Sequence, residues 1–128
     1  MTRPRAGVTI FRDGVPTPSA GTSAFTGVIQ GLLAARDMPA HAVQCGAKGC
    51  VTWSRSTVRN YREYLATDFD LAFAQWIWGV NRGVLLPPGL DEQWLLSVAH
   101  TEDDIARALD VLTGFLDALE DPSRVEEI

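Results

Sequence analysis

Lysine is almost missing from this 128-residue chain, which has one, Lys48. Any chemistry that needs a lysine amine has a single candidate. It stands in Gly46-Ala47-Lys48-Gly49, a glycine-bearing turn where an amine is mobile and wet rather than desolvated and fixed. Cysteine is nearly as scarce: Cys45 and Cys50 are too few for a disulfide framework and are expected to remain thiols. Nothing places either beside a histidine that would activate it as a nucleophile. His41 and His100, the only histidines, lie far apart without zinc-type spacing to Cys or carboxylates, so no metal site is expected. No apolar run reaches the roughly 18 to 20 residues that cross a bilayer. Behind Met1-Thr2-Arg3-Pro4-Arg5 there is no apolar signal region, which makes the cytoplasm the expected compartment. Positive charge is short as well: 11 Lys and Arg face 16 Asp and Glu, a formal net charge of −5. Such a surface repels phosphate backbones and anionic lipid, so neither nucleic acid nor membrane is an expected partner. The one cationic cluster, Arg55, Arg59 and Arg62, reads as a solvated face.

What the chain does have is a core-forming composition: 46% hydrophobic and 21% charged residues fit one packed soluble domain. Residues 1–24 carry Pro4, Pro16 and Pro18 with scattered Gly, Ser and Thr around one apolar run, Val8 to Phe11, and read as a flexible arm with at most an edge strand. From Phe25 the apolar residues Phe25, Val28, Ile29, Leu32 and Leu33 recur at helical spacing, and Pro39 stops the helix. His41–Cys45 and Cys50–Trp53 flank a glycine turn and predict a β-hairpin. Its Gly46-x-x-Gly49 lacks the Gly-Lys-Ser/Thr ending of a phosphate loop.

A second helix is expected between Thr67 and Asn81. Thr67 or Asp68 serves as N-cap, Phe69, Phe73, Trp76, Ile77 and Val80 share one face, and Gly83 suits the left-handed closing conformation. Val84–Leu86 and Trp94–Val98 read as short strands around the Pro87-Pro88-Gly89 stop. Thr101-Glu102-Asp103-Asp104 then opens a third helix with a capping box, an apolar stripe of Ile105, Leu109, Leu112, Leu116 and Leu119 that should pack along the sheet, and a stop at Asp121-Pro122. Residues 122–128 form a frayed acidic tail. The fold class is therefore α+β: a small, mainly antiparallel sheet covered on one face by about three helices. Trp53, Trp94 and Leu96 are expected to leave an apolar patch on the other face that asks for a partner. Trp76, Trp78 and Trp94 are able to stack a flat ligand, but in so small a domain they serve packing more often.

The stretch from Gly83 to Thr101 resembles a segment of class III pyridoxal-phosphate-dependent aminotransferases, specifically the C-terminal small domain of the glutamate-1-semialdehyde 2,1-aminomutase branch. Aligned without gaps from His100-Thr101, the residues Pro88, Glu92, Ser97, Ala99 and the acidic cap fall on the family's counterparts. Asn60-Tyr61 and the hairpin before it are similar too, so the resemblance covers about residues 25 to 120 and sets the small domain at 25–121. It implies amino-group transfer between small-molecule donor and acceptor, with pyridoxal phosphate as electron sink on a lysine of a separate large domain. It also implies that Glu92 lies near the substrate entrance. The competing reading of Glu92, an exposed loop carboxylate, stands beside it. Gly89, Asp91, Gln93 and Trp94 depart from the family pattern, which implies a differently shaped pocket. No lysine here matches the Schiff-base position, so no catalytic residue is expected in this chain and no cofactor is expected to bind it alone. A large-domain partner chain or a homo-oligomer follows, the alternative being a non-enzymatic interaction or oligomerisation module.

Overall fold

A computed structural model of the chain describes residues 11–12, 15–16, 18–87 and 93–123, with side chains from residue 24 onward. The first elements are a two-residue antiparallel pair, β1 (Phe11–Arg12) and β2 (Val15–Pro16), followed by helix α1 (Pro18–Ala35). The helix starts well before the periodicity that announces it at Phe25. Its opening residues Pro18-Ser-Ala-Gly-Thr-Ser-Ala24 carry no apolar stripe, while proline at the first helical position has the right φ and no amide to waste. Most of the apolar run Val8 to Phe11 lies outside the described residues. At the other end Asp37 takes φ 48°, and the amides of Asp37 and Met38 donate to Ala34 and Leu33 at 3.1 and 3.0 Å. These two bonds close a Schellman turn, so the chain stops being helical before Pro39 is reached.

Strands β3 (His41–Cys45) and β4 (Lys48–Thr52) form the expected hairpin, with Cys45 opposite Lys48. Only Gly46 of the two turn residues has positive φ (60°), as a type II′ turn requires. Lys48 is thus the first residue of β4 and not the centre of the turn. Strand β5 (Trp94–Leu95) adds to the free side of β4 in the order β3-β4-β5, with Gly49 opposite Trp94. The sheet is antiparallel throughout, and the α+β class read from the sequence holds. Val84–Leu86 is no strand: it runs as a loop whose Leu86 carbonyl accepts the Trp76 indole N–H at 2.9 Å. Its carbonyl chemistry is met by a side chain, which removes the need for a ladder.

Helices α1, α3 (Phe69–Val80) and α4 (Glu102–Glu120) build the core with one sheet face, and a short helix α2 (Tyr61–Leu65), capped by Asn60, is the one that periodicity misses. Trp53, just past β4, sits at the centre at 1% exposure, edge-on to Phe115 at 5.9 Å, its indole N–H on Gln75 Oε1 at 2.9 Å. The expected apolar patch of Trp53, Trp94 and Leu96 is a correction, since all three are buried. Gly49 is the reason for Trp94: with no side chain opposite, the indole folds into the core and meets Phe25 edge-on at 5.0 Å. Leu116 in α4 is fully buried, Ile105 and Leu112 nearly so, and Arg36 of α1 ties the two helices together through Asp117 at 3.0 Å. The α4 stripe packs against α1 and α3 more than along the sheet.

The α4 cap is the one written in the sequence. Thr101 Oγ1 accepts the Asp104 N–H at 3.2 Å, and Asp104 Oδ2 accepts the Thr101 N–H at 2.8 Å. Those bonds, the Thr101 backbone amide first, hold the Asp104 carboxyl below its ordinary value of 3.8. A carboxyl depressed in the folded state stabilises above its unfolded pKa and loses that contribution as pH falls through the folded one. Thr101→Ala removes the Oγ1 acceptor of the Asp104 amide and should cost about 1 kcal/mol, as loss of an N-cap does. Asp104→Ala, which removes the carboxylate itself, should cost less in urea titrations repeated below the carboxylate range, where the wild-type carboxyl is also protonated.

Helix α3 turns a different face inward than its large residues indicate. Its buried side is Leu71, Ala72, Gln75, Trp78 and Gly79, with the Trp78 N–H donating to Val111 of α4 at 3.0 Å. Phe73, at 55% exposure, and Ile77, at 39%, face solvent together with Val80. Small Ala72 and Gly79 let backbone approach backbone: a Cβ on Gly79 would stand 3.1 Å from the Val84 carbonyl. A helix that is apolar on both sides is one built to be covered on both.

Candidate functional site

The corner from β5 into α4 is where the sequence resemblance is most specific, and its residues there are chiefly structural. His100 Nδ1 accepts the Ser97 N–H at 2.9 Å, Ser97 Oγ accepts the Ala99 N–H at 3.2 Å, and the His100 N–H returns to the Ser97 carbonyl at 3.2 Å. With Nδ1 as acceptor, the His100 proton sits on Nε2. Thr101 then begins the helix. Ser97, His100 and Thr101 thus turn the chain through a set of local hydrogen bonds, of which those to His100 Nδ1, Ser97 Oγ and Thr101 Oγ1 depend on the side chain.

That corner forms one wall of a cleft of about 530 Å³. The loop 83–87, the buried side of α3 and the first half of α4 complete it, with Phe25, Trp78, Trp94 and Phe115 as its aromatic lining. Its polar groups are Gln75, Gln93, His100, Asp104 and Arg107. Gly83 shapes one rim: at φ 79° it leaves room for Arg107, whose Nη2 would stand 2.9 Å from a Cβ at that position and lies 3.4 Å from the Arg82 carbonyl. Arg82 itself lies 3.2 Å over the Trp78 ring, and its Nη1 donates to the Trp78 carbonyl at 3.1 Å. Burial lowers the Arg82 guanidinium from its ordinary value, and it stays cationic at neutral pH. The volume and apolar lining are those of a small-molecule cleft. Sequence reading missed Arg107 and Gln75, which stand on helix faces where any polar residue fits the pattern.

The cofactor implied by the resemblance does not fit these residues. It requires a lysine amine at the pocket, and no lysine lines the cleft. The chain's only lysine, Lys48, is exposed on β4. Its neighbour Gly49 faces the core ring of Trp94, so alternation sends Lys48 to the opposite face. Glu92, the expected residue of the substrate entrance, lies outside the described residues. The cysteines are free, Cys45 exposed and Cys50 half-buried, and His41 Nδ1 is engaged by the Ser54 carbonyl at 2.7 Å. Among the described residues no three His, Cys, Asp or Glu side chains gather as a metal site. Arg55 of the cationic cluster pairs with Asp37 at 3.0 Å, both largely exposed, an ion pair of little energetic weight. No described helix is long and apolar enough to cross a membrane.

No protein-family model matches the chain. Curated relatives do. The chain is 32% identical over 74 residues to glutamate-1-semialdehyde 2,1-aminomutase 1 of Lachnoclostridium phytofermentans, a match covering 58% of this chain and 17% of that protein. It is 35% identical over 83 residues to the glutamate-1-semialdehyde 2,1-aminomutase of Thermus thermophilus, covering 63% and 19%. Against glutamate-1-semialdehyde 2,1-aminomutase 2 of Oceanobacillus iheyensis the figures are 32% over 85 residues, 66% and 20%. The chain thus spans about a fifth of the length of the curated relatives it matches. With its antiparallel sheet, its α4 cap and these relatives, the chain is similar to one part of the glutamate-1-semialdehyde 2,1-aminomutases.

Proposed function

We propose that this chain supplies the small-domain part of a pyridoxal-phosphate-dependent, class III aminotransferase or aminomutase-like protein, and that it transfers no amino group by itself. The observation that carries this reading is the position of Lys48: the only amine of its kind is exposed on the sheet face turned away from the cleft. On this reading the domain is 25–121, with the arm 1–24 before it and the tail 122–128 after it; helix α1 itself begins at Pro18. Glu92 belongs, on this reading, near the entrance for a small-molecule amino donor or acceptor. Two free thiols and an acidic surface fit a cytoplasmic setting. The lysine, and with it the cofactor, comes from a large domain that covers the outer side of α3.

The apolar outer side of α3 also favours a second reading, a non-enzymatic module that docks through this face onto another protein or a second copy. The lysine separates enzyme from non-enzyme for the chain alone. Purified chain mixed with pyridoxal phosphate at near-stoichiometric concentration and reduced with borohydride should yield no pyridoxyl adduct by mass spectrometry. A stoichiometric adduct on Lys48 would overturn the proposal.

A further inference from the structure

The hairpin carries a pair of thiols that the proposed function leaves unused. Alternation along the two strands turns Ala42 and Val51 to the core, and so sends Val43 and Cys45 of β3 and Cys50 and Thr52 of β4 to the outer face. Cys50 Sγ lies 3.7 Å from Thr52 Oγ1, on that face but leaning toward Thr52 and away from Cys45, so a shared ion requires it to turn about its χ1. Register sets Val43 opposite Cys50 and Cys45 opposite Lys48, so the two cysteines are diagonal neighbours on one surface. Both are free, and Cys45 is exposed.

Diagonal positions on antiparallel strands stand about 7–8 Å apart at Cα. A disulfide needs Cα atoms nearer than about 7 Å, so oxidation to a bond would have to shift the strands. A metal bound between the two sulfurs asks for less. With metal–sulfur bonds of about 2.3 Å, a linear two-coordinate ion holds its sulfurs about 4.6 Å apart, a span that diagonal positions reach once Cys50 leaves Thr52 and turns toward Cys45.

We propose that Cys45 and Cys50 form a two-thiolate site for a soft monovalent cation of the copper(I) type. Thiolate softness selects such an ion, and with no cluster of three ligating side chains among the described residues the site does not serve ions that demand four ligands. Binding is an exchange without electron transfer: one cation displaces the protons of two thiols, giving a bis-thiolate complex of charge −1 and two released protons. Lys48, directly across from Cys45, brings the compensating positive charge to the same face. The site is independent of the aminotransferase reading, because it uses neither the cleft nor α3.

Anaerobic titration of the reduced chain with copper(I), against a chromophoric chelator of known affinity, tests this. One ion per chain should bind with the sedimentation coefficient unchanged. Cys45→Ser and Cys50→Ser should each weaken binding by more than about 100-fold, beyond what changes outside the ligand set produce. Lys48→Ala should weaken it by about tenfold, and Lys48→Arg should restore it. Both cysteines point away from the core, so thermal melts of the variants should match the parent and exclude unfolding as the cause. Undiminished binding in either serine variant, copper-dependent dimers held by Cys45 alone, or no competition with the chelator would overturn the proposal.

Discussion

Replacing Leu116 by alanine should lower the unfolding free energy by about 3–4 kcal/mol, near the upper part of the range for leucine truncation in a packed core. Leu116 has no exposed surface and sits in the C-terminal third of α4, a helix that packs against both α1 and α3. Collapse into the cavity is hindered from both sides. Arg36 and Asp117 hold α1 to α4, and the Trp78 N–H on the Val111 carbonyl holds α3 to it. The missing volume therefore stays as a void, and its lining loses contacts outright. Urea unfolding at constant m-value reads the effect as a shift in midpoint. Leu109→Ala, at a partly buried position on the same helix, should cost clearly less. Against a total stability of about 5–15 kcal/mol, the Leu116 variant spends a large share in one substitution. Equal costs at the two positions would mean that α4 does not face inward as described.

The second large effect comes from adding atoms. Gly49→Ala places a methyl carbon within 2.6 Å of Trp94 Nε1, and other atoms of the same ring stand as near. The indole has no retreat, because Phe25 meets it edge-on at 5.0 Å from α1. Overpacking of this kind costs about 1–3 kcal/mol, and here it should be relieved by lifting β5 off β4, which is held by two residue pairs. Hydrogen exchange of the Leu96 amide, which donates to the Ala47 carbonyl at 3.1 Å, should then quicken while the α4 amides stay protected. Trimming the ring by Trp94→Leu in the Gly49→Ala background should recover part of the loss, a coupling that independent sites would not show. Additive costs would sink the explanation.

These two sites mark what the sequence did and did not disclose. Thr101 with Asp104, Gly83 and the hairpin could be read directly, because each rests on residues close together in the chain whose chemistry allows few alternatives. The ladder of Leu112 and Leu116 was legible for the same reason, since one helix face decides it. The facing of α3 was not. Periodicity weighs large residues, and it selected Phe73 and Ile77, whereas packing is decided by Ala72 and Gly79, whose small size lets neighbouring elements close in. Trp94 escaped similarly, because its burial depends on a missing side chain at Gly49, on another strand. The start of α1 at Pro18 and the short α2 carry no apolar stripe to announce them. At the candidate site, Ser97, His100 and Thr101 could be picked out by resemblance, but their work as a hydrogen-bonded corner needed coordinates. Arg107 gave no sign in the sequence, since its place on the cleft follows from the Gly83 turn packing against α4.

The proposed function, in either form, requires that the outer side of α3 be a docking surface rather than an ordinary scatter of exposed apolar residues. Sedimentation velocity of the chain alone across a concentration series, with a dye that reports exposed apolar surface, examines that requirement directly. Without a large domain the chain should bind the dye and associate with itself as concentration rises, and the pair Phe73→Glu and Ile77→Glu should abolish both without lowering the melting temperature. A monodisperse monomer at every concentration, with no dye binding, would contradict it.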